Sequence, residues 1–397
     1  MVHARRLPVL YRHIKTLAPD GINQAYPEDI MSHAPTQPTR SEFQSRFEVL
    51  LGQLSKSDLI DYAFLEMPSN RKPWQDSGID LGEGENVTTF SIGQTLLNGT
   101  DIYFGADFQV WFRVGTDGEI FRGTRASNSF RATRPGPLYL GSNFPGEWST
   151  VNGQQSTPDE VYGHVSGQFD VLVIRWHIAP LEGLKKLAAR GDVAGLIAGE
   201  IDRLTNPVIP PQGWYYLWFL GPAEIYRPAA LEEKKDAICC ATHRDVGLLL
   251  KDIELPLEPD TCLHWDWRVE LLPSEVREDT MPTHDYLSIA VEFDNGQDIT
   301  YYWSAELPVE TAYRCPIPSW NARETHVVIR SGSEGLGLWF SEKRNVYRDY
   351  QNHIGGELPA RIVKIWLIAV SFFQGRKGKC LYDNIYFTAD ARSIPVQ

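Results

Sequence analysis

Short alternating runs, each closed by a turn signal, constrain this chain more than any other feature. Val87-Thr-Thr-Phe-Ser-Ile, Phe108-Gln-Val-Trp-Phe-Arg-Val and Val171-Leu-Val-Ile-Arg-Trp read as strands, with Asn98-Gly99, Asp117-Gly118 and Pro145-Gly146 as turns. A second β region runs from Trp214 to Phe387. The 397 residues exceed what one ordinary core accommodates, so two domains are expected. The fold class is therefore expected to be mainly β, with two β-sandwich or jelly-roll domains and a few helices. Aromatic residues at 12%, with 12 Trp among them, suit pleated surfaces that seat large flat side chains.

Four segments follow from the pattern. Residues 1–40 form an arm in which Pro8, Pro19, Pro27, Pro35 and Pro38 exclude long regular elements. Leu10, Tyr11, Ile14, Leu17, Ile22 and Tyr26 are too apolar for a free tail, so the arm is expected to wrap a neighbouring subunit of a homodimer. Residues 41–205 hold a helix over Ser41–Leu59 with Ser41 as its N-cap, the first sandwich, and a helical stretch from Pro180 to Leu204 broken at Gly191-Asp192. Residues 206–225 form a linker, and 226–397 the second sandwich.

Net charge is −13 and no basic run occurs. Nucleic acid and anionic membranes are not expected partners. No apolar stretch approaches the about 18 residues of a membrane span, and Tyr11, Arg12 and His13 interrupt the N-terminal apolar run before it could act as a signal peptide. Cys239, Cys240, Cys262, Cys315 and Cys380 are odd in number and irregularly spaced. That is no disulfide framework, and a cytoplasmic location is expected.

Two resemblances follow. Trp74-Gln-Asp-Ser-Gly-Ile-Asp-Leu, Gly82 to Ser91 and Phe130-Arg-Ala-Thr-Arg-Pro-Gly-Pro-Leu-Tyr-Leu-Gly-Ser-Asn resemble bacterial galactophilic lectin-like domains. The resemblance implies sugar binding through a calcium ion. The corresponding stretch here, Ser156-Thr-Pro-Asp-Glu-Val-Tyr-Gly-His, gives no clear ligand set, so the metal is not carried over. Leu263-His-Trp-Asp-Trp-Arg-Val-Glu, His284-Asp-Tyr-Leu-Ser-Ile-Ala-Val-Glu-Phe-Asp, Ile299-Thr-Tyr-Tyr-Trp-Ser and Trp339 to Tyr350 resemble a bacterial jelly-roll family of unknown function. That resemblance implies a fold and no reaction.

Phosphate loops, zinc-protease helices, nucleophile elbows and Cys-x-x-Cys pairs are missing from the sequence. No cofactor and no metal are expected. Cys239-Cys-Ala-Thr-His243 offers metal-type donors, but reads more simply as buried thiols beside a surface histidine. The densest polar set is His264, Asp266, Arg268 and Glu270, which strand alternation puts on one face, with Trp265, Trp267 and Val269 on the other. If the neighbouring strands carry Tyr286 and Trp303 alongside, that face is either a solvated exterior, a concave pocket, or a surface buried on the first domain.

In the pocket reading, His264, Asp266, Tyr286 and His284 are the candidate catalytic residues. Arg268, Trp303, Arg344 and Asp349 are then the substrate-binding ones. Arg344 and Asp349 read equally as an ion-paired corner. In the first sandwich, Asp101, Asp107, Arg113, Arg122, Arg125 and Arg131 read as scattered ion pairs. The functional expectation is a cofactor-independent enzyme using acid–base chemistry on a small polar or sugar-like molecule, a lyase, dehydratase, hydratase or hydrolase. The alternative is a non-catalytic carbohydrate-binding protein. The sequence does not name the substrate.

Overall fold

A computed structural model of the chain describes residues 37–100, 102–155, 157–390 and 392–397. The arm up to residue 36, with its expected role at a subunit contact, lies outside the described residues, as does Asp101. The chain divides between Pro207 and Val208 into two compact units, both mainly β.

The first unit opens on helix α1 (Arg40–Leu51). Its N-cap is Thr39, two residues earlier than the expected Ser41. The Thr39 hydroxyl accepts from the Glu42 N–H at 3.3 Å, and the Glu42 carboxylate accepts from the Thr39 N–H at 2.8 Å. The helix stops at Gly52, short of the expected Leu59, which already begins a strand. Strands β1 (Leu59–Pro68), β2 (Trp74–Leu81), β3 (Asn86–Leu97) and β4 (Tyr103–Gly105) follow, then a short helix α2 (Ala106–Gln109). Next come β5 (Trp111–Val114), β6 (Phe121–Arg122), β7 (Ser127–Arg131), β8 (Gly136–Gly141) and β9 (Val165–Trp176), and finally helices α3 (Pro180–Ala188) and α4 (Leu196–Thr205).

One sheet runs β1-β9-β3-β4 with β7 also on β3; the other runs β2-β8-β5-β6. Phe108 to Val110 is not strand as expected. Gln109 is buried and its side-chain oxygen accepts from the Ser142 hydroxyl and the Phe144 N–H, each at 3.2 Å, which holds the chain in a helical turn.

The unbroken apolar run of β9 has a direct cause. Val171 and Val173 point into the sandwich with Val87, Phe112 and Leu140. Leu172, Ile174 and Trp176 point the other way, under Phe43 and Phe47 of α1, Leu184 and Leu187 of α3, and Ile197 of α4. A strand covered on both faces needs no polar alternation. Gly183 lets α3 approach, since a Cβ there would lie 2.5 Å from the Trp176 ring.

The second unit contains β10 (Tyr215–Tyr216), β11 (Tyr226–Ala229), β12 (Ala237–His243), β13 (Val246–Pro256), β14 (Cys262–Leu271), β15 (Tyr286–Phe293) and β16 (Asp298–Ser304). It continues with β17 (Ala312–Arg314), β18 (Glu324–Ser331), β19 (Phe340–Asn345), a helical turn α5 (Val346–Asp349), β20 (Arg361–Val370), β21 (Lys377–Ala389) and β22 (Arg392–Pro395).

A seven-stranded sheet runs β10-β13-β20-β15-β16-β18-β17 and faces a sheet ordered β11-β12-β21-β14-β19, with β22 on β21. Trp265, Trp267 and Val269 of β14 meet Leu287, Ile289 and Val291 of β15 in the main core. At about 25 cal/mol per Å² of apolar surface, each such side chain contributes about 1.5–3 kcal/mol. A second, smaller core lies on the opposite side of the seven-stranded sheet, where Leu217, Tyr286, Leu307, Tyr302, Val328 and Trp366 pack together. No helix among the described residues is long and apolar enough to cross a membrane.

Candidate functional site

Strand alternation sets the first candidate. On β14 the tryptophans turn inward, so His264, Asp266, Arg268 and Glu270 share the outer face. These groups are bound to one another and to their neighbours. Lys234 donates to Asp266 at 2.5 Å and lies 2.9 Å from Asp383 of β21. Arg268 donates to Glu270 at 2.9 Å, and Lys379 lies 2.6 Å from the same carboxylate. The Trp339 ring sits against both cations, 5.4 Å from Lys234 Nζ and 5.3 Å from the Arg268 guanidinium carbon, and its indole N–H donates to Glu233 at 3.2 Å.

Beside these pairs lies a shallow cleft of about 340 Å³, whose walls include Glu233, Lys234, Lys235, Asp236, Asp383 and Asn384. Partial burial works against the Lys234 ammonium, but its two hydrogen bonds to Asp266 and Asp383 outweigh that and raise its pKa. The hydrogen bond from Lys379 holds the Glu270 carboxyl below its usual range.

His264 is not joined to Asp266. Its ring stacks on Tyr386 at 4.5 Å and its Nε2 shares a 3.0 Å hydrogen bond with the Thr388 hydroxyl. Burial, then the nearby Lys343, hold this imidazole below its usual value.

The expected partnership between His264 and Tyr286 is not formed. β14 pairs with β19 and β21, whereas β15 pairs with β16 and β20 in the other sheet. Both strands turn their apolar sides to the shared core, so His264 and Tyr286 sit on opposite outer sides of the sandwich. Trp303, expected at a binding surface, is core: it is 1% exposed and its indole N–H donates to the Gly332 carbonyl at 2.8 Å.

Arg344 and Asp349 form the ion-paired corner. The guanidinium grips both Asp349 oxygens at 2.8 and 2.9 Å and donates to Glu310 at 2.5 Å, while the Tyr301 hydroxyl donates to Asp349 at 2.8 Å. Cys239 and Cys240 are adjacent on β12 and so project to opposite faces, which separates the donors of Cys239-Cys-Ala-Thr-His243. Arg113 lies over Trp74 at 4.4 Å, and Arg125 pairs with Asp202 at 3.0 Å.

A second constellation takes in one sequence candidate, His284, with three residues that the sequence does not single out. His284, Cys315, Glu324 and His326 converge behind the seven-stranded sheet, and one donor atom from each lies within 4.8 Å of all the others. Glu324 and His326 are two apart on β18 and share a face. Cys315 follows β17, where its N–H donates to the Glu324 carbonyl at 3.0 Å. His284 precedes β15, and its Nδ1 is 2.6 Å from the Glu278 carbonyl, which turns Nε2 toward the group. Exposures are 0% for His284, Cys315 and His326 and 3% for Glu324.

The Tyr286 and Thr300 hydroxyls donate to Glu324 Oε1 at 3.2 and 3.1 Å. His326 stacks on Tyr313 at 5.1 Å. Burial, reinforced by His326, depresses the His284 imidazole to about 3. Burial raises the Cys315 thiol. Glu324 is pulled below its usual range by the two imidazoles, against the opposing effect of burial. Glu324-Thr-His326 offers a visible two-residue spacing and His284 is already a candidate, but nothing in the sequence joins them, and the lone cysteine gives no signal.

Residues 212–386 match a family described as protein of unknown function (DUF3047). No curated protein matches the chain. Among solved structures, the EclA N-terminal domain, a PllA-like lectin, aligns at 14% identity over 30% of this chain and 99% of its own, with a TM-score of 0.23. The xyloglucanase domain of NopAA, a type three effector from Sinorhizobium fredii in complex with cellobiose, aligns at 10% identity over 45% and 95%, with a TM-score of 0.27. The family 11 carbohydrate-binding module of the cellulosomal cellulase Lic26A-Cel5E of Clostridium thermocellum aligns at 11% identity over 44% and 81%, with a TM-score of 0.21. At these scores none of the three bears on what this chain binds.

Proposed function

We propose that this chain binds carbohydrate without transforming it, with the ligand in the cleft beside Lys234. Lys234 carries the reading. Its ammonium bridges Asp266 and Asp383 on two paired strands, against the Trp339 ring, at the wall of the cleft. A sugar presents neighbouring hydroxyls, each a donor and an acceptor, and an apolar C–H face. Carboxylates accept from such hydroxyls, an ammonium donates to them, and the Asn384 amide does both. An aromatic ring offers a flat apolar surface with a polar edge. The mutual ion pairs hold these side chains in position before a ligand arrives, which lowers the ordering cost of binding.

Acid–base catalysis would require His264 and Asp266 to exchange protons with a substrate. Each is instead engaged elsewhere, His264 by Tyr386 and Thr388 and Asp266 by Lys234.

A glycan array probed with the labelled full-length chain identifies a ligand, and titration calorimetry then compares wild type with Trp339→Ala and Asp383→Ala. The expected result is at least tenfold weaker binding in both, about 1.4 kcal/mol, with the ligand recovered unchanged. Unaltered affinity in both variants would remove the site. Conversion of the ligand by the wild-type chain would restore the enzyme reading.

A further inference from the structure

We propose that His284, Cys315, Glu324 and His326 form a closed four-ligand site for a structural zinc ion. Three independent observations support it.

The first is spacing. Tetrahedral zinc takes bonds of about 2.0–2.1 Å to nitrogen and oxygen and about 2.3 Å to thiolate sulfur, which puts neighbouring donors about 3.3–3.6 Å apart. Here Cys315 Sγ is 3.5 Å from His284 Nε2, and Glu324 Oε1 is 3.4 Å from His326 Nε2. Those are edges of a coordination tetrahedron.

The second is unmet bonding. His326 is fully buried, and neither of its ring nitrogens has a hydrogen-bond partner among the described residues; the 3.4 Å approach to Glu324 lacks hydrogen-bond alignment. An imidazole buried in this way loses its hydrogen bonds to water and gains none in return. A metal–nitrogen bond removes that penalty.

The third is charge. Zinc binding displaces the Cys315 thiol proton to solvent and forms a metal–sulfur bond. A thiolate and a carboxylate then balance the two positive charges, with two neutral imidazoles completing the shell. A neutral assembly suits a site with no exposure above 3%.

The surroundings match what orients metal ligands. His284 Nδ1–H donates to the Glu278 backbone carbonyl, which fixes Nε2 as the donor toward the centre. The Tyr286 and Thr300 hydroxyls both donate to Glu324 Oε1, the oxygen that faces His326, and fix its position. Four protein ligands leave no position for substrate, so the ion is structural. It ties the start of β15 to the β17–β18 connection, beside the parallel pairing of β16 with β18. Mixed imidazole, thiolate and carboxylate donors suit zinc and disfavour calcium or magnesium, which take oxygen.

The test uses the full-length chain purified from zinc-supplemented cells. Elemental analysis is expected to give one zinc per chain. Cobalt exchanged into the site is expected to give a thiolate-to-metal charge-transfer band. Cys315→Ser is expected to abolish that band, and His326→Gln to lower metal content severalfold. Chelation of the wild type is expected to lower the melting temperature. Because the variants could fail to fold, circular dichroism accompanies them and the wild-type measurements stand alone. Absence of stoichiometric zinc together with no cobalt uptake by folded wild type overturns the proposal. So does full metal content in folded Cys315→Ser and His326→Gln.

Discussion

The outer face of β14 and the covered face of β18 belong to one unit and both carry imidazole and carboxylate groups, yet they keep those groups in opposite ways. On β14, every charge named has a partner of opposite sign: Asp266 with Lys234, Glu270 with Lys379 and Arg268. Water reaches the rim of these pairs, and the cations rest on Trp339. On β18, Glu324 and His326 are sealed from water, and His326 has no hydrogen-bond partner among the described residues. A polar group near solvent costs little when a ligand or water exchanges with its partner. A polar group sealed in a core stays there only if something else completes its bonding. The difference separates a surface suited to recognition from a cluster suited to holding the fold.

Substitutions sharpen the contrast, and the largest effect belongs inside. Glu324→Ala leaves the Tyr286 and Thr300 hydroxyls and His326 facing a buried gap. It is expected to cost about 3–5 kcal/mol in urea denaturation. Asp349→Ala leaves Arg344 with Glu310 alone and the Tyr301 hydroxyl without its carboxylate at the partly buried corner, and about 1–3 kcal/mol is expected by the same method. Lys234→Met is expected to cost about 1 kcal/mol, while ligand affinity falls at least tenfold. A loss of stability as large as that of Glu324→Ala would erase the distinction between the two faces.

The smallest effect concerns pH. His264 has a depressed folded-state pKa, and its ring meets Tyr386, Thr388 and Lys343. Below the unfolded value near 6.5, the unfolded chain binds the proton more readily. Stability is therefore lost as pH falls from 6.5 toward the folded value. Thermal melts of His264→Gln are expected to show a flatter pH dependence than wild type in that window. An unchanged slope would show that His264 does not set it.

Much of this was legible in the residues. The alternation of Leu263 to Glu270 fixed which side chains face outward, and the apolar runs marked the strands. What failed was pairing. Nothing local says that β14 and β15 lie in opposing sheets, so the sequence cannot show that Tyr286 and His264 share no face. Trp303 reads like a surface aromatic until its indole is seen against Gly332. Thr39 does not stand out as the cap in the sequence because Ser41 is an equally good capping residue in isolation. The buried cluster was hardest. His284, Cys315 and the Glu324–His326 pair come from three segments brought together only by sheet order, so beyond the Glu324-Thr-His326 spacing no motif joins them. Lys234 lay outside every strand, and its role depends on where β21 delivers Asp383.

The central claim is that a ligand is recognised in the cleft beside Lys234, whose ammonium pairs with Asp266 of β14. Indole N–H resonances in chain labelled with ¹⁵N-tryptophan report on it most directly, since the Trp339 N–H donates to Glu233 at the cleft wall. A Trp339→Phe variant assigns the signal. On titration with the array-selected oligosaccharide, the Trp339 resonance is predicted to shift saturably while those of the buried Trp265 and Trp303 stay fixed. A saturable shift elsewhere with the Trp339 resonance unmoved would contradict the account.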